Sequence, residues 1–337
     1  METKTRTKRF SWLSKNRVSE REIQAKLDSK NEEVAADLPT AEAYTPPREL
    51  AEALIQTARN IQMLPDIAIQ AIALTESQVS TVQQVVDLVA QDVQLTTDVL
   101  SLSNSALFAG TGPTLNLEQA ILRVGRRQIK NMIMAASVTA MMQSIDWKEV
   151  RTRDILCEHG LMTAVINTRL STLFKLGMQG EEFTAGLVHD IGRTLLAVAL
   201  PDQFSEFDPL NFDESDELLS VENKFIRTNH AVIGAWFLQR NALPEELVTV
   251  ARYHHSVPEC TKFKRLVALT AVADELANTY QREGADSPKF AYETFAACEN
   301  LEILEQLGVE NAAERLREFA QVLITSSTDE VKSMMKR

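Results

Sequence analysis

The sequence is poor in the residues that interrupt helices and in those that staple small folds. Its 337 residues include 11 glycines, 10 prolines and 3 cysteines, and aromatic residues make up only 6%. Few breakers, with abundant Ala, Leu, Glu and Gln, favour an all-helical chain over a strand-rich one. Cys157, Cys260 and Cys298 are odd in number, far apart and without a CxxC pair, which argues against a disulfide framework. No stretch approaches the roughly 20 apolar residues that span a bilayer, and the weakly polar run from Met132 to Met142 is too short. An apolar signal-peptide core is missing from the first residues. Basic residues are also in deficit: Lys+Arg number 35 against 47 Asp+Glu, a net charge of −12. That balance opposes a dedicated nucleic-acid binder, which needs a basic face to displace counterions. The expectation is a reduced, cytoplasmic protein with no membrane span and no strong nucleic-acid signal.

A hydrophobic fraction of 45% and a charged fraction of 24% are ordinary for a globular protein. The first 30 residues depart from this average, with nine Lys/Arg against four Asp/Glu and sparse, aperiodic apolar residues. Such a segment buries too little surface to offset ordering entropy. A disordered tail is expected over 1–46, basic first and then acidic. It is either simply solvated or in contact with anionic lipid, nucleic acid or an acidic partner.

From Arg48 the pattern turns helical. Val82, Val85, Val86 and Val89 form one stripe behind a Ser80–Gln83 capping pattern, and Asn116 with Gln119 starts another helix that Gly125 stops. The stretch from Gln128 to Met142 is apolar almost all round and reads as a buried helix. Long helices are expected from Arg151 to Phe174, from Glu181 to Leu200 and over 263–282, with shorter ones between. Arg126, Arg127 and Lys130 make a small basic cluster, and Met132, Met134, Met141 and Met142 suit core filling.

Five histidines, His159, His189, His230, His254 and His255, all lie within 97 residues. His189 precedes Asp190, and His254 precedes His255. Imidazole and carboxylate together suit a divalent transition metal such as Mn, Fe, Ni or Zn. The spacing draws the ligands from separate helices, and a bundle can aim several such side chains into one cleft.

The run Gly186-Leu-Val-His-Asp-Ile-Gly-Arg193 resembles the GLLHDIG signature of the HD superfamily. Leu64-Pro65, Asn104-Ser-Ala-Leu-Phe108, Glu118-Gln-Ala-Ile-Leu-Arg-Val-Gly125, Asn229-His-Ala-Val-Ile-Gly-Ala235 and Leu243-Pro244 leading to His254-His-Ser-Val-Pro258 resemble the ordered motifs of the HDOD (HD-related output domain) family. The resemblance covers about 57–262, leaving 263–337 as a helical extension. It implies an all-α, multi-helix bundle of HD-domain-like type with an N-terminal helical subdomain. It also implies a bacterial signalling module, distantly similar to HD and HD-GYP phosphohydrolases.

By the same resemblance His159, His189, Asp190, His230, His254, His255 and Asp274 match metal positions, with Asp190 able to bridge two ions. Arg193 stands where HD-GYP proteins carry a phosphate-facing lysine, no GYP follows His255, and Ile155 replaces a glutamate used in trinuclear sites. A dinuclear site is therefore the most that is implied. The first expectation is a regulatory module that binds a signalling protein partner or a small nucleotide. The alternative is a metal-dependent phosphohydrolase acting on a nucleotide or cyclic dinucleotide, with Asp190 and Arg193 as its catalytic residues. A metal-free structural scaffold is the third reading.

Overall fold

A computed structural model describes residues 46–58, 63–105, 107–108, 112–212, 216–287 and 299–335. The tail expected over 1–46 lies outside them up to residue 45. Regular structure among the described residues is entirely helical: α1 (Arg48–Ala58), α2 (Asp66–Glu76), α3 (Val82–Val89), α4 (Val93–Ser103), α5 (Leu117–Val124), α6 (Arg126–Ser144), α7 (Val150–Leu173), α8 (Glu181–Val188), α9 (Ile191–Ala199), α10 (Phe204–Phe207), α11 (Asp216–Ile226), α12 (His230–Arg240), α13 (Glu245–Tyr253), a 3-10 turn (Val257–Glu259), α14 (Lys264–Glu283), α15 (Glu299–Gln306) and α16 (Ala312–Met335).

Local chemistry sets many of these boundaries. Asn116 Oδ1 accepts from the Gln119 amide at 2.9 Å and starts α5. Gly125, at φ 85°, ends α5 and lets α6 begin at the next residue. The capping box of α3 is Thr81 with Gln84, one residue later than the sequence suggests. Ser80 is drawn away from the cap because its hydroxyl donates to the Leu74 carbonyl at 2.5 Å.

Two apolar cores share α6. Helices α2 to α5 pack on its first half around Ala68, Val85, Val99, Ile121, Ile129 and Ile133. Its second half, through Met134, Val138, Met141 and Met142, joins the larger core built with α7 to α9 and α12 to α16. Neighbours on two sides account for a helix apolar nearly all round. The methionines are core, as expected. Helix α14 packs along α7 in that same larger core, together with Leu304 of α15 and Leu316 and Ile324 of α16.

The single helix expected from Glu181 to Leu200 is in fact two. The chain leaves helical geometry at Asp190 (φ −101°, ψ 18°), and α9 starts afresh at Ile191. Flanking glycines permit the break to sit deep between neighbours. A Cβ on Gly186 would stand 2.6 Å from the Ala164 Cα on α7, and one on Gly192 would stand 1.9 Å from the His230 carbonyl oxygen. Both distances are far inside van der Waals contact, so only glycine lets α8 close on α7 and α9 close on the start of α12. The dipeptide His189-Asp190 is thereby held at the centre of the larger core.

Candidate metal centre

The fold brings all seven expected residues together. His159 comes from α7, His189 and Asp190 from the α8–α9 break, His230 from the start of α12, His254 and His255 from the end of α13, and Asp274 from α14. Their donor atoms form two sets, Asp190/His230/His254/His255 and His159/His189/Asp274. His255 is half-buried and the other six are buried.

Asp190 joins the sets. Its Oδ1 lies 3.3 Å from His230 Nε2 and 3.4 Å from His254 Nε2. Its Oδ2 lies 3.5 Å from His159 Nε2 and 3.7 Å from His189 Nε2. Asp274 Oδ1 completes one set at 3.1 Å from His159 Nε2 and 3.3 Å from His189 Nε2. His230 Nε2 and His255 Nε2 stand 3.0 Å apart in the other. Ligands bound to one zinc-sized ion at about 2.0–2.2 Å stand roughly 3.0–3.5 Å from each other, so these separations suit coordination edges, apart from the longer one between His189 and Asp190.

The outer face of each ring fixes what the inner face offers. His189 Nδ1 donates to the Gly186 carbonyl at 2.8 Å, and His254 Nδ1 donates to the Ala251 carbonyl at 3.0 Å. His159 Nδ1 meets Gln281 Oε1 at 2.6 Å, and His230 Nδ1 meets Glu222 Oε2 at 2.9 Å. A carbonyl oxygen only accepts, so the proton sits on Nδ1 and the Nε2 lone pair faces inward in the neutral ring. His254 Nε2 and Asp190 Oδ1 are buried with no hydrogen-bond partner. Orphaned buried acceptors of this kind are costly, and a bound cation would satisfy both. The residues present therefore fit a two-ion site.

The electrostatics point the same way. Burial disfavours the charged imidazole at His189, but Asp190 and Asp274 outweigh it and push its pKa up to about 9. At His230 burial is likewise outweighed by Glu222 and Asp190, again to about 9. Burial lowers His254 and His255. Burial also opposes the ionised forms of Asp190 and Asp274, yet His189, Arg193 and His230 beside Asp190, and His189 and His159 beside Asp274, hold both well below the usual carboxylate range. The pocket calls for a cation, either protons or metal, and the two compete.

Arg193 stands apart from its expected role. Its guanidinium is buried, 1% exposed, between two carboxylates. Nε and Nη2 donate to Asp208 at 2.7 and 2.9 Å, and Nη1 donates to Asp190 Oδ2 at 3.0 Å. The fork therefore braces Asp190 rather than facing open space. The basic cluster at the start of α6 is likewise occupied. Arg126 donates to the carbonyls of Leu74, Ser77 and Ser80, Arg127 pairs with Glu181, and Lys130 pairs with Glu76.

Four residues at the centre escape a reading of the sequence. Asp208 and Glu222 sit in polar stretches where an acidic residue normally implies solvation. Phe212 stacks on His159 with ring centroids 5.2 Å apart. Gln281 lies about two helical turns beyond Asp274 on α14. None of the four carries a spacing signal of its own.

The sequence pattern of the HDOD domain matches residues 61–257. The chain belongs to the HDOD domain family. Its fold is similar to an HDOD domain protein of Geobacter sulfurreducens, with TM-score 0.65, 22% identity, and 83% of this chain and 97% of that one covered. It is also similar to a candidate signal transduction protein of Marinobacter aquaeolei VT8 (TM-score 0.60, 17% identity, 90% and 67% covered). A candidate phosphohydrolase of Shewanella amazonensis SB2B shares the fold as well (TM-score 0.58, 20% identity, 83% and 98% covered). An uncharacterized protein of Treponema pallidum (strain Nichols) is 26% identical over 235 residues, which are 69% of this chain. The matched region is 45% of the Treponema protein, so the chain corresponds to less than half of it. Among the described residues no helix is long and apolar enough to cross a membrane.

Proposed function

We propose that this chain is a regulatory HDOD module that acts by binding, and that His159, His189, Asp190, His230, His254, His255 and Asp274 hold at most two divalent transition-metal ions. The observation that carries the reading is the pair of donor sets linked by the two oxygens of Asp190, with Asp190 Oδ1 and His254 Nε2 buried and making no hydrogen bond. Ions held there would supply positive charge for an anionic ligand such as a nucleotide phosphate. Binding is favoured over turnover because the cation beside the bridging carboxylate is spent on Asp190 and Asp208, and because Phe212 covers His159. The GYP segment after His255 is absent as well. A cytoplasmic site of action, a signalling protein or nucleotide as partner, and the division into 57–262 and a 263–337 extension belong to the same reading.

A second reading, a phosphohydrolase of nucleotides or cyclic dinucleotides, is favoured by one feature. A cavity of about 380 Å³, lined by His254, His255, Asp274, Asn278 and Arg282, reaches the same centre. In that case Asp190 is the catalytic carboxylate, and Arg193 acts through it as a positioning residue.

The test is metal analysis of the native-purified full chain, paired with a hydrolysis screen. The expected result is close to two ions per chain, falling below one in Asp190→Ala because a methyl group cannot bridge. No turnover of cyclic di-GMP, linear dinucleotides or an aryl phosphate is expected. Turnover near about 1 per second, abolished by Asp190→Ala, promotes the second reading. A metal-free wild type refutes both.

A further inference from the structure

Two short pieces of chain between α9 and α12 touch the centre from outside. The first, 204–212, carries Asp208 and Phe212. The second is α11, which carries Glu222. Asp208 and Glu222 are both essentially fully buried, at 1% and 0% exposure. Each reaches one candidate ligand, Glu222 directly and Asp208 through Arg193. Asp208 grips the Arg193 guanidinium with both oxygens, and that guanidinium reaches Asp190 Oδ2. Glu222 accepts from the His230 backbone amide at 2.9 Å and from its ring Nδ1 at 2.9 Å. The first piece is also pinned through the Phe212 carbonyl, which accepts from Arg282 of α14, and through the Phe212 ring on His159.

We infer that Asp208 and Glu222 are positioning residues of the metal centre with unequal reach, and that the two pieces of chain carrying them are tied down by the centre they serve. The inference rests on the metal-binding reading above. Its physical content is an asymmetry. Glu222 orients His230, which belongs to one donor set, and raises the basicity of its inward nitrogen. Asp208 acts through Arg193 on Asp190, whose two oxygens point to the two different sets. Loss of Glu222 should therefore weaken one ion, and loss of Asp208 should weaken both. A purely structural role for either residue would lower stability without dividing the two ions.

The test titrates Mn²⁺ into the metal-free full chain and resolves the two sites. For Glu222→Gln the expected result is one site weakened about 10- to 100-fold with the other unchanged. For Asp208→Asn both sites weaken by a similar factor. Arg193→Lys is the companion variant should Asp208→Asn fail to fold. Its single ammonium keeps the charge but cannot bridge both carboxylates, so both sites should weaken again. Hydrogen exchange of the wild type with and without Mn²⁺ supplies a second readout, with added exchange on metal removal in 204–212 and 216–226. Unchanged affinities, equal weakening of both sites by Glu222→Gln, or unchanged exchange in the two pieces overturns the inference while the metal centre stands. Failure of the wild type to bind Mn²⁺ removes the metal centre and this inference together.

Discussion

Among the described residues between 66 and 136 the buried polar side chains are Ser103, Ser105, Thr114 and Asn131, none of them ionisable. Between residues 159 and 274 the buried set includes His159, Glu182, His189, Asp190, Arg193, Asp208, Glu222, His230, His254 and Asp274. The first region does what an apolar core does. Two of its arginines are half-buried against backbone carbonyls rather than carboxylates, Arg123 on that of Gly112 and Arg126 on those of Leu74 and Ser80. The second region spends burial on charge, which is expensive unless every charge is paired or coordinated. Two regions of one chain thus separate packing from chemistry, although α6 belongs to both cores. The burial of charge, more than the presence of histidines, marks where the candidate site lies.

Two substitutions of similar cost should break the comparison or sharpen it. Gly192→Ala places a methyl group on the His230 carbonyl oxygen, a backbone atom that cannot rotate away. A loss of about 3 kcal/mol or more is expected, together with a fall in bound metal, because α9 must shift off α12. Ile129→Ala empties the other core and should also cost about 3 kcal/mol, but at full metal content. Denaturant unfolding and metal analysis on both proteins decide the matter. Loss of metal in Ile129→Ala would show that the two regions do not separate function as argued.

The comparison also explains what was legible in the sequence. Helix positions could be read from periodicity and caps, since burial of an apolar stripe and a side-chain cap are local facts. The ligand types could be read because histidine is scarce and the HD and HH pairs are conspicuous. The break at Asp190 was not legible, because Glu181 to Leu200 is a good helical sequence and only contact with α7 and α12 interrupts it. Asp208 and Glu222 were hidden for a related reason. A buried acidic residue looks like a solvated one until its partner, eight or fifteen residues away, is folded against it. Arg193 stands where the family resemblance implies a phosphate contact, and the carboxylate of Asp208 holds its guanidinium against Asp190 instead.

Glu182 sharpens the contrast without touching the candidate metal ligands. It lies on α8 between the two regions, buried, with Oε2 accepting from the Gly180 amide at 2.9 Å. Burial pushes its pKa up to about 7 from 4.5, against the opposing effect of that hydrogen bond. The native state therefore binds this proton more tightly than the unfolded chain does. The stabilisation is fully present below pH 4.5 and is lost as pH rises through about 7. Glu182→Gln keeps an acceptor for Gly180 and removes the titration. It should stabilise the protein by on the order of 2 kcal/mol at pH 8 and by nearly nothing at pH 4.5. Thermal melts of the two proteins across that range measure it, and a difference independent of pH would assign the effect to packing instead.

The smallest effect belongs to the basic cluster at the start of α6, which the sequence presents as a patch and the structure divides. Arg126 is sunk among carbonyls, whereas Arg127 and Lys130 form ion pairs with Glu181 and Glu76 at 3.3 Å, and each pair has at least one well-exposed partner. Such pairs gain little in high dielectric and lose side-chain entropy on forming. Arg127→Ala and Lys130→Ala should each change stability by less than about 1 kcal/mol, with the difference shrinking further in 1 M salt. Neither should alter metal content, because both pairs lie at the α6 surface and neither residue is among the ligands or the partners that hold them. Unfolding curves at low and high salt, with metal analysis alongside, test this directly. A loss of metal in either variant would mean that charge at the surface of the first region reaches the centre of the second, and the separation drawn between them would have to be given up.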